Sequence, residues 1–231
     1  MTTVVFDHIP WQPAMEPLLK RVRLAEESDY WAEFQAFCAA AQEVARPKAM
    51  LKVAYVEAKG EDYVIVEGVR LSSRVLRVNL ELAHRVLMYV ATCGMELQRW
   101  AEGEMDPLRQ FWAEALKEQA LGAAIKTVSQ HISEHYPGKT SAMNPGSLAD
   151  WPLREQRPFF AIMGDVEGAI GVRLTPSCLM VPNKSVSSLR FPVEENFESC
   201  QLCPREVCPG RRAPYDPELY ERKFRPRAKG G

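Results

Sequence analysis

The chain has 231 residues, of which 46% are hydrophobic and 26% charged, and its formal net charge is −1. This composition is typical of a globular protein with its own core, in one large or two small domains. The near-neutral charge gives no support for a general nucleic-acid binder. We find no secretory signal pattern and no apolar run near the roughly 20 residues that cross a bilayer, so we expect a cytoplasmic protein without membrane contact.

The N-terminal half is predicted to begin with a helix and a hairpin. The helix covers residues 28–46, with Ser28 as its N-cap and Pro47 beyond its end. Alternating and β-branched residues at 51–58 and 62–68 predict two strands of a hairpin.

Two long helices are predicted next. One runs from about Ser73 to Trp100, because apolar residues recur there at three- and four-residue spacing. The other covers about Asp106–His135, with Asp106 as its cap and Pro107 in its first turn.

The C-terminal half differs from the N-terminal half in its amino-acid composition. Residues 136–152 have loop composition, and a short helix over about 152–164 follows. Residues 171–180 and 184–193 are predicted as two antiparallel strands. We therefore expect an α+β fold, a single domain with N-terminal helices and a small twisted antiparallel sheet.

The segment KTSAMNPGSLADW at 139–151 is a candidate ligand loop. Pro145-Gly146 predicts a type II turn, since proline fixes one φ and glycine supplies a positive one. Backbone amides there, with the side chains of Asn144, Ser147 and Asp150, can cradle an anionic or amino-acid-like group. The alternative interpretation is a turn with no ligand role.

Several segments together resemble a known family. Pro145-Gly146, the 150–163 helix and the runs 171–177, 180–182 and 185–187 keep the order and spacing of one domain. That domain is the reactivation domain of cobalamin-dependent methionine synthase. The ATCGMELQRW run at 91–100 is similar to a Thr-x-Gly-x-Glu-Leu segment of small stand-alone relatives, which extends the resemblance over about 60–195.

The resemblance implies a C-shaped α+β domain that binds S-adenosylmethionine along the Pro-Gly loop. In the family, S-adenosylmethionine methylates a cobalamin whose cobalt an external donor has reduced. The partner implied here is a corrinoid protein or cobalamin-dependent methyltransferase that carries the cobalamin. Two positions depart from the family motif Arg-x-x-Pro-Gly-Tyr: Ala142 replaces the arginine and Ser147 the tyrosine. Without the arginine, contact with the ligand's carboxylate weakens unless Lys139 substitutes.

Three cysteines, Cys200, Cys203 and Cys208, lie within ESCQLCPREVCPG at 198–210. In a reducing compartment such a cluster more often binds metal or does redox work than forms disulfides. Three thiolates are one ligand short of the usual four for zinc or an iron-sulfur cluster. We predict Cys178 as the fourth ligand, with Cys93, His131, His135 or an open iron site as alternatives.

Some stand-alone relatives carry C-terminal 4Fe–4S cysteine clusters. This resemblance favours an iron-sulfur centre over zinc, and such a centre would deliver single electrons. We expect an activation-like domain at 1–197 and a cysteine-cluster, proline-rich basic tail at 198–231. The leading hypothesis is an accessory protein of corrinoid-dependent methyl transfer that supports reductive reactivation. The alternative is a non-catalytic zinc-binding interaction module that keeps the fold without S-adenosylmethionine binding.

Overall fold

A computed structural model describes residues 2–194, 197–208 and 210–225. The helices are α1 (Met15–Val22), α2 (Trp31–Val44), α3 (Arg74–Asn79), α4 (Met95–Glu102), α5 (Pro107–His135), α6 (Gln156–Met163) and α7 (Val166–Ile170). The strands are β1 (Thr3–Phe6), β2 (Lys48–Lys59), β3 (Tyr63–Val66), β4 (Val69–Ser72), β5 (Arg85–Thr92), β6 (Thr140–Met143), β7 (Arg173–Leu174), β8 (Met180–Val181) and β9 (Ser185–Pro192). Within these residues, no helix is long and apolar enough to cross a membrane.

One antiparallel sheet organises the molecule. Its strands lie in the order β4-β3-β2-β5-β9-β6, and β1 pairs with the first part of β2. The pairing of β2 with β5 aligns Lys48 with Thr92 and Tyr55 with Arg85, and β9 then pairs with both β5 and β6. The mixed antiparallel α+β fold predicted from the sequence is confirmed, with a larger sheet than expected.

Helices and the C-terminal tail cover the two faces of this sheet. On one face, Met88, Val90 and Leu189 pack against α3, α6, α7 and the tail. On the other, Leu87 and Tyr89 pack against α5. A third cluster joins α1, α2, α4 and α5. Strand residues therefore alternate between two buried faces.

The helix predicted from Ser73 to Trp100 is wrong. This segment forms α3, the central strand β5 and α4 instead. Residues 86–92 are all buried, because both faces of β5 are covered. A short run of this kind has no alternation to mark it as a strand, so its apolar spacing also satisfied a helical pattern.

The other predicted helices are confirmed. Asp106 caps α5, its Oδ1 accepting hydrogen bonds from the backbone amides of Leu108 and Arg109. In α2 the N-cap is Tyr30, and the hydroxyl of Ser28 accepts a hydrogen bond from the Tyr30 amide instead of capping the helix. The predicted hairpin is formed by β2 and β3, with a register shift between Val56 and Ala58.

The C-terminal half is more regular than its composition indicates. Strand β6 lies inside the predicted 136–152 loop. The predicted 152–164 helix is confirmed as a 3-10 turn, Leu153–Glu155, followed by α6. The strand predicted at 184–193 is confirmed as β9 of the main sheet, whereas the strand predicted at 171–180 is wrong: β7 and β8 form a separate two-stranded sheet around a turn, and β9 pairs with β5 and β6 instead of this segment.

The tail packs against the domain. Phe224 is fully buried in the core and contacts Phe197 edge to face, with ring centroids 5.8 Å apart. The boundary at 197/198 stays a prediction, and residues 226–231 of the predicted tail lie outside the described residues.

Candidate functional site

The Pro-Gly loop (residues 144–151) leaves the end of β6 as a tight turn. Gly146 has a φ of +89°, and the Ser147 amide donates to the Asn144 carbonyl at 3.0 Å. A positive φ after proline together with this hydrogen bond matches the predicted type II turn. The Gly146 amide donates to the Trp151 carbonyl at 2.7 Å, so both amides are used within the loop.

The predicted ligand residues also have partners within the protein. The Asn144 side-chain amide donates to the Ser187 carbonyl at 2.7 Å, which fixes the loop to β9. The Ser147 hydroxyl donates to the Asn144 carbonyl at 2.7 Å, while Pro145 is buried. Gly146 and Ser147 are exposed. Of these four residues, Gly146 and Ser147 therefore present the accessible surface of the turn.

Asp150 connects the loop to α3. Its carboxylate accepts hydrogen bonds from the Ser73 hydroxyl and, at 3.0 Å, from the Val75 amide. Ser73 is the N-cap of α3 and also accepts from the Leu76 amide at 2.9 Å. The carboxylate and the hydroxyl thus cap the same helix together.

Three cavities surround the Pro-Gly loop. The loop groove has a volume of about 400 Å³ between the loop and the tail residues Leu202, Cys203 and Pro204. The polar cavity, about 520 Å³, lies between the loop and α3. A smaller one of about 210 Å³ separates residues 148–150 from the tail tyrosines. The two larger volumes fall in the range of small-molecule sites, roughly 300–1,000 Å³.

The polar cavity carries charges of both signs. Asp150, Arg74 and Arg154 line it, with Tyr220 of the tail at its edge. Arg74 donates to the carbonyls of Phe224 and Glu61. Arg154 is exposed and forms no side-chain hydrogen bond or ion pair within the described part of the chain. Its guanidinium is therefore available to a ligand carboxylate.

The cysteine segment folds around one guanidinium. Arg211 donates through Nη1 to the Cys200 carbonyl at 3.2 Å and through Nη2 to the Cys203 carbonyl at 3.4 Å. It also donates to the Arg205 carbonyl. Arg211 could not be recognised from the sequence, because a side chain that donates to backbone carbonyls leaves no local pattern.

The three tail thiols are half-buried. The Cys200 sulfur accepts a hydrogen bond from the Arg212 amide at 3.4 Å, and Cys203 lines the loop groove. The Cys203 amide donates to the Cys200 carbonyl at 3.2 Å, which closes a turn of the C-x-x-C pair. The Cys208 carbonyl accepts from the Arg211 amide at 3.1 Å.

The predicted fourth ligand lies elsewhere. Cys178 is buried between β7 and β8, where its sulfur accepts a hydrogen bond from Arg157 Nε at 3.2 Å. In the described ranges, no group of three or more His, Cys, Asp or Glu side chains is arranged to hold a metal ion. The predicted set of Cys178 with the tail thiols is therefore not preassembled, and it stays a prediction.

The other candidate ligands are also placed. Cys93 is fully buried, and burial raises the pKa of its thiol to about 12. His131 and His135 stack on each other at the end of α5, with ring centroids 4.1 Å apart. Cys93 packs in the cluster of α1, α2, α4 and α5, and His131 contacts Phe6 of β1.

A buried lysine joins α4 to the turn between β8 and β9. Lys117 of α5 is 2% exposed, and its Nζ donates to Gln98 Oε1 at 3.2 Å and Asn183 Oδ1 at 3.0 Å. It also forms an ion pair with Glu114. Burial raises the pKa of Glu114, but the hydrogen bonds from Lys117, Asn183 and Lys184 and the charge of Lys117 together outweigh it, so this pKa lies below its ordinary value. The sequence signal was a lysine at a core-facing helical position.

Comparison with known proteins supports the fold. The chain is similar to a solved structure described as the crystal structure of the MetH reactivation domain bound to AdoHcy. The TM-score is 0.60 at 16% identity, over 86% of this chain and 81% of that chain. No protein-family model matches the chain, and no curated protein matches it in sequence. At this identity the likeness establishes the fold resemblance, and function has to be argued from the site.

Proposed function

We propose that this chain supports reductive reactivation of a corrinoid protein and binds S-adenosylmethionine, or its demethylated product, beside the Pro-Gly loop. One observation carries the proposal: the fold likeness, over most of both chains, to a reactivation domain that holds AdoHcy. The partner is then a corrinoid protein or cobalamin-dependent methyltransferase that carries the cobalamin.

The residues around the loop fit part of such a ligand. S-adenosylmethionine has an amino-acid end with a carboxylate and an ammonium group. In the polar cavity, Arg154 can pair with the carboxylate and Asp150 can accept from the ammonium. Arg154 thereby takes the role that the arginine of the family motif has, which Ala142 cannot. The methyl group on the ligand's sulfonium is the chemistry that the bound cofactor supplies.

Exposed backbone at Gly146 and Ser147 suits a flat ligand group in the loop groove. A side chain at 146 would narrow this groove, since a Cβ would lie 3.0 Å from Leu153 Cδ1. Ser147 lacks the aromatic surface of the family's tyrosine. Tyr215 and Tyr220 lie beside the neighbouring small cavity and provide aromatic surface on the tail side.

Calorimetry with S-adenosylmethionine and with AdoHcy tests the ligand. Wild type is expected to bind both, and Arg154→Ala to weaken binding by roughly tenfold to a hundredfold, the usual range for a charge-assisted contact. Arg173→Ala is the matched control, since Arg173 is an exposed arginine outside these cavities. Absence of heat at millimolar ligand contradicts the ligand assignment, and equal affinity of wild type and Arg154→Ala contradicts the role of Arg154.

An iron-sulfur centre on Cys200, Cys203 and Cys208 is the second part of the proposal. It rests on the C-x2-C-x4-C spacing and on the Arg212 amide that donates to the Cys200 sulfur, a contact that also occurs around cluster sulfurs. Because the ligands are not preassembled, metal binding would itself gather the thiols. A cluster would supply single-electron delivery.

Anaerobic purification tests the metal. A brown protein with iron and acid-labile sulfide, both lost in Cys200→Ser, is the expected result. A colourless protein with one zinc would favour the alternative function, a zinc-binding interaction module. Cys38→Ser is the control, because Cys38 is buried in the cluster formed by α1, α2, α4 and α5, and burial raises the pKa of its thiol to about 11.

A further inference from the structure

A small cavity of about 90 Å³ lies where α5 ends and the chain turns into β6. It is on the face of the sheet that packs against α5, and it shares no lining residue with the cavities around the Pro-Gly loop. Its lining residues include Arg85, Tyr136, Gly138, Lys139, Arg190 and Phe191.

Strand register explains the position of Arg190. Arg190 of β9 lies directly between Leu87 of β5 and Ala142 of β6. Residues paired in this way project to the same face of a sheet. The side chain of Arg190 therefore lies beside the small side chain of Ala142. A larger residue at 142 would occupy this space.

The guanidinium of Arg190 is held but not neutralised. Its Nη2 donates to the Ser129 hydroxyl at 2.9 Å, and its centre lies 5.9 Å from the Tyr89 ring. Its Nε is buried without a hydrogen-bond partner. A partly buried charge with an unused donor is costly unless an anion offsets it.

Two further cations share the cavity. Arg85 lies over the ring of Tyr136, 5.6 Å from its centroid, and Lys139 is exposed on the turn after Gly138. In the described part of the chain, no carboxylate lies within 4.0 Å of the charged nitrogens of Arg85, Lys139 or Arg190. Three cationic side chains that form no ion pair with a described residue thus line one cavity.

From this geometry we infer a binding site for a phosphate-sized oxyanion. The volume equals that of about three waters, at about 30 Å³ each, which suits a tetrahedral ion or one terminal phosphate group of a larger molecule. Two guanidinium groups and an ammonium supply the charge-assisted donors that such an ion prefers. The inference does not rest on the proposed function, because this cavity shares no lining residue with the polar cavity or the loop groove, and Lys139, the alternative carboxylate partner named from the sequence, lies here instead.

Titration calorimetry at low ionic strength, first with inorganic phosphate and then with adenosine monophosphate, tests the inference. Phosphate alone binding as well as the nucleotide indicates a free ion, and tighter nucleotide binding indicates a phosphate monoester. Arg85→Gln, Lys139→Gln and Arg190→Gln are each expected to weaken binding about tenfold or more. Lys126→Gln, which changes an exposed lysine of α5 that does not line the cavity, is expected to bind like wild type.

Two results would overturn the inference. In the first, neither phosphate nor adenosine monophosphate binds to wild type at about 10 mM, a concentration at which even a weak specific anion site would be occupied. The other is binding that Arg85→Gln and Lys139→Gln leave unchanged. These two side chains are exposed, so their variants are expected to fold even where Arg190→Gln does not.

Discussion

The joint cap formed by Asp150 and Ser73 gives a sharp prediction for Asp150→Ala. The variant removes the acceptor for the Ser73 hydroxyl and for the Val75 amide. Each hydrogen bond to a charged group contributes about 1.5–3 kcal/mol. Since Asp150 is only half-buried, water replaces part of this, and we expect a loss of about 2 kcal/mol in the free energy of unfolding.

Urea unfolding followed by tryptophan fluorescence measures this loss, because Trp151 is fully buried beside Asp150. A double-mutant cycle with Ser73→Ala isolates the contact. The two changes are expected to be non-additive by about 1 kcal/mol or more, since both remove the same hydrogen bond. Additive losses, or a loss for Asp150→Ala below about 0.5 kcal/mol, would refute the capping role.

The same pair separates structure from ligand binding. If Asp150 also accepts from the ammonium of S-adenosylmethionine, Asp150→Ala weakens binding even when it is measured well below the melting temperature of the variant. Ser73→Ala is then expected to keep an affinity near that of wild type. Equal affinities in both variants would assign Asp150 to the fold alone.

Three further predictions follow from the loop and from α5. Gly146→Ala is expected to lower the free energy of unfolding by about 1–2 kcal/mol because of its positive φ. The loss is expected to exceed that of Gly68→Ala, since a Cβ at 68 (φ +74°) meets nothing within 4 Å, and chemical denaturation of both variants measures the difference. Lys117→Met is expected to lower the free energy of unfolding by about 3 kcal/mol, because the side-chain oxygens of Gln98 and Asn183 each lose a donor at about 1–3 kcal/mol. A melting temperature unchanged from wild type would contradict this. Because the folded pKa of Glu114 is depressed, its stabilising contribution is present above its ordinary pKa of 4.5 and is lost as pH falls through the folded value. The stability gap between wild type and Glu114→Gln should therefore close below pH 4.5, and a constant gap from pH 7 to pH 3 would be evidence against this linkage.

Local chemistry predicted those parts of the fold whose stabilisation is local. Asp106-Pro107 fixed the start of α5, and Pro145-Gly146 fixed the turn, because each depends on backbone conformation within a few residues. Strand β5 could not be recognised in this way. Its burial comes from α5 on one face and from distant elements on the other, and only the assembled sheet shows both.

The candidate site shows the same division. The sequence identified the Pro-Gly loop and the tail cysteines as separate motifs. The placement of the loop and Cys203 on opposite walls of one groove depends on how the tail packs, through Phe224 and Phe197, and no spacing encodes it. Arg211 was missed because it donates to backbone carbonyls, and Arg154 because only the folded chain places it on the polar cavity.

This shared groove makes the tail and the loop thermodynamically coupled. Leu202, Cys203 and Pro204 form one wall of the groove, so a ligand that touches both walls binds more weakly when the tail detaches. By reciprocity, the same ligand makes detachment of the tail harder by an equal free energy. Protection of the tail from proteolysis would then report ligand occupancy at the loop, and a metal that reshapes the cysteine segment would change ligand affinity without touching the loop.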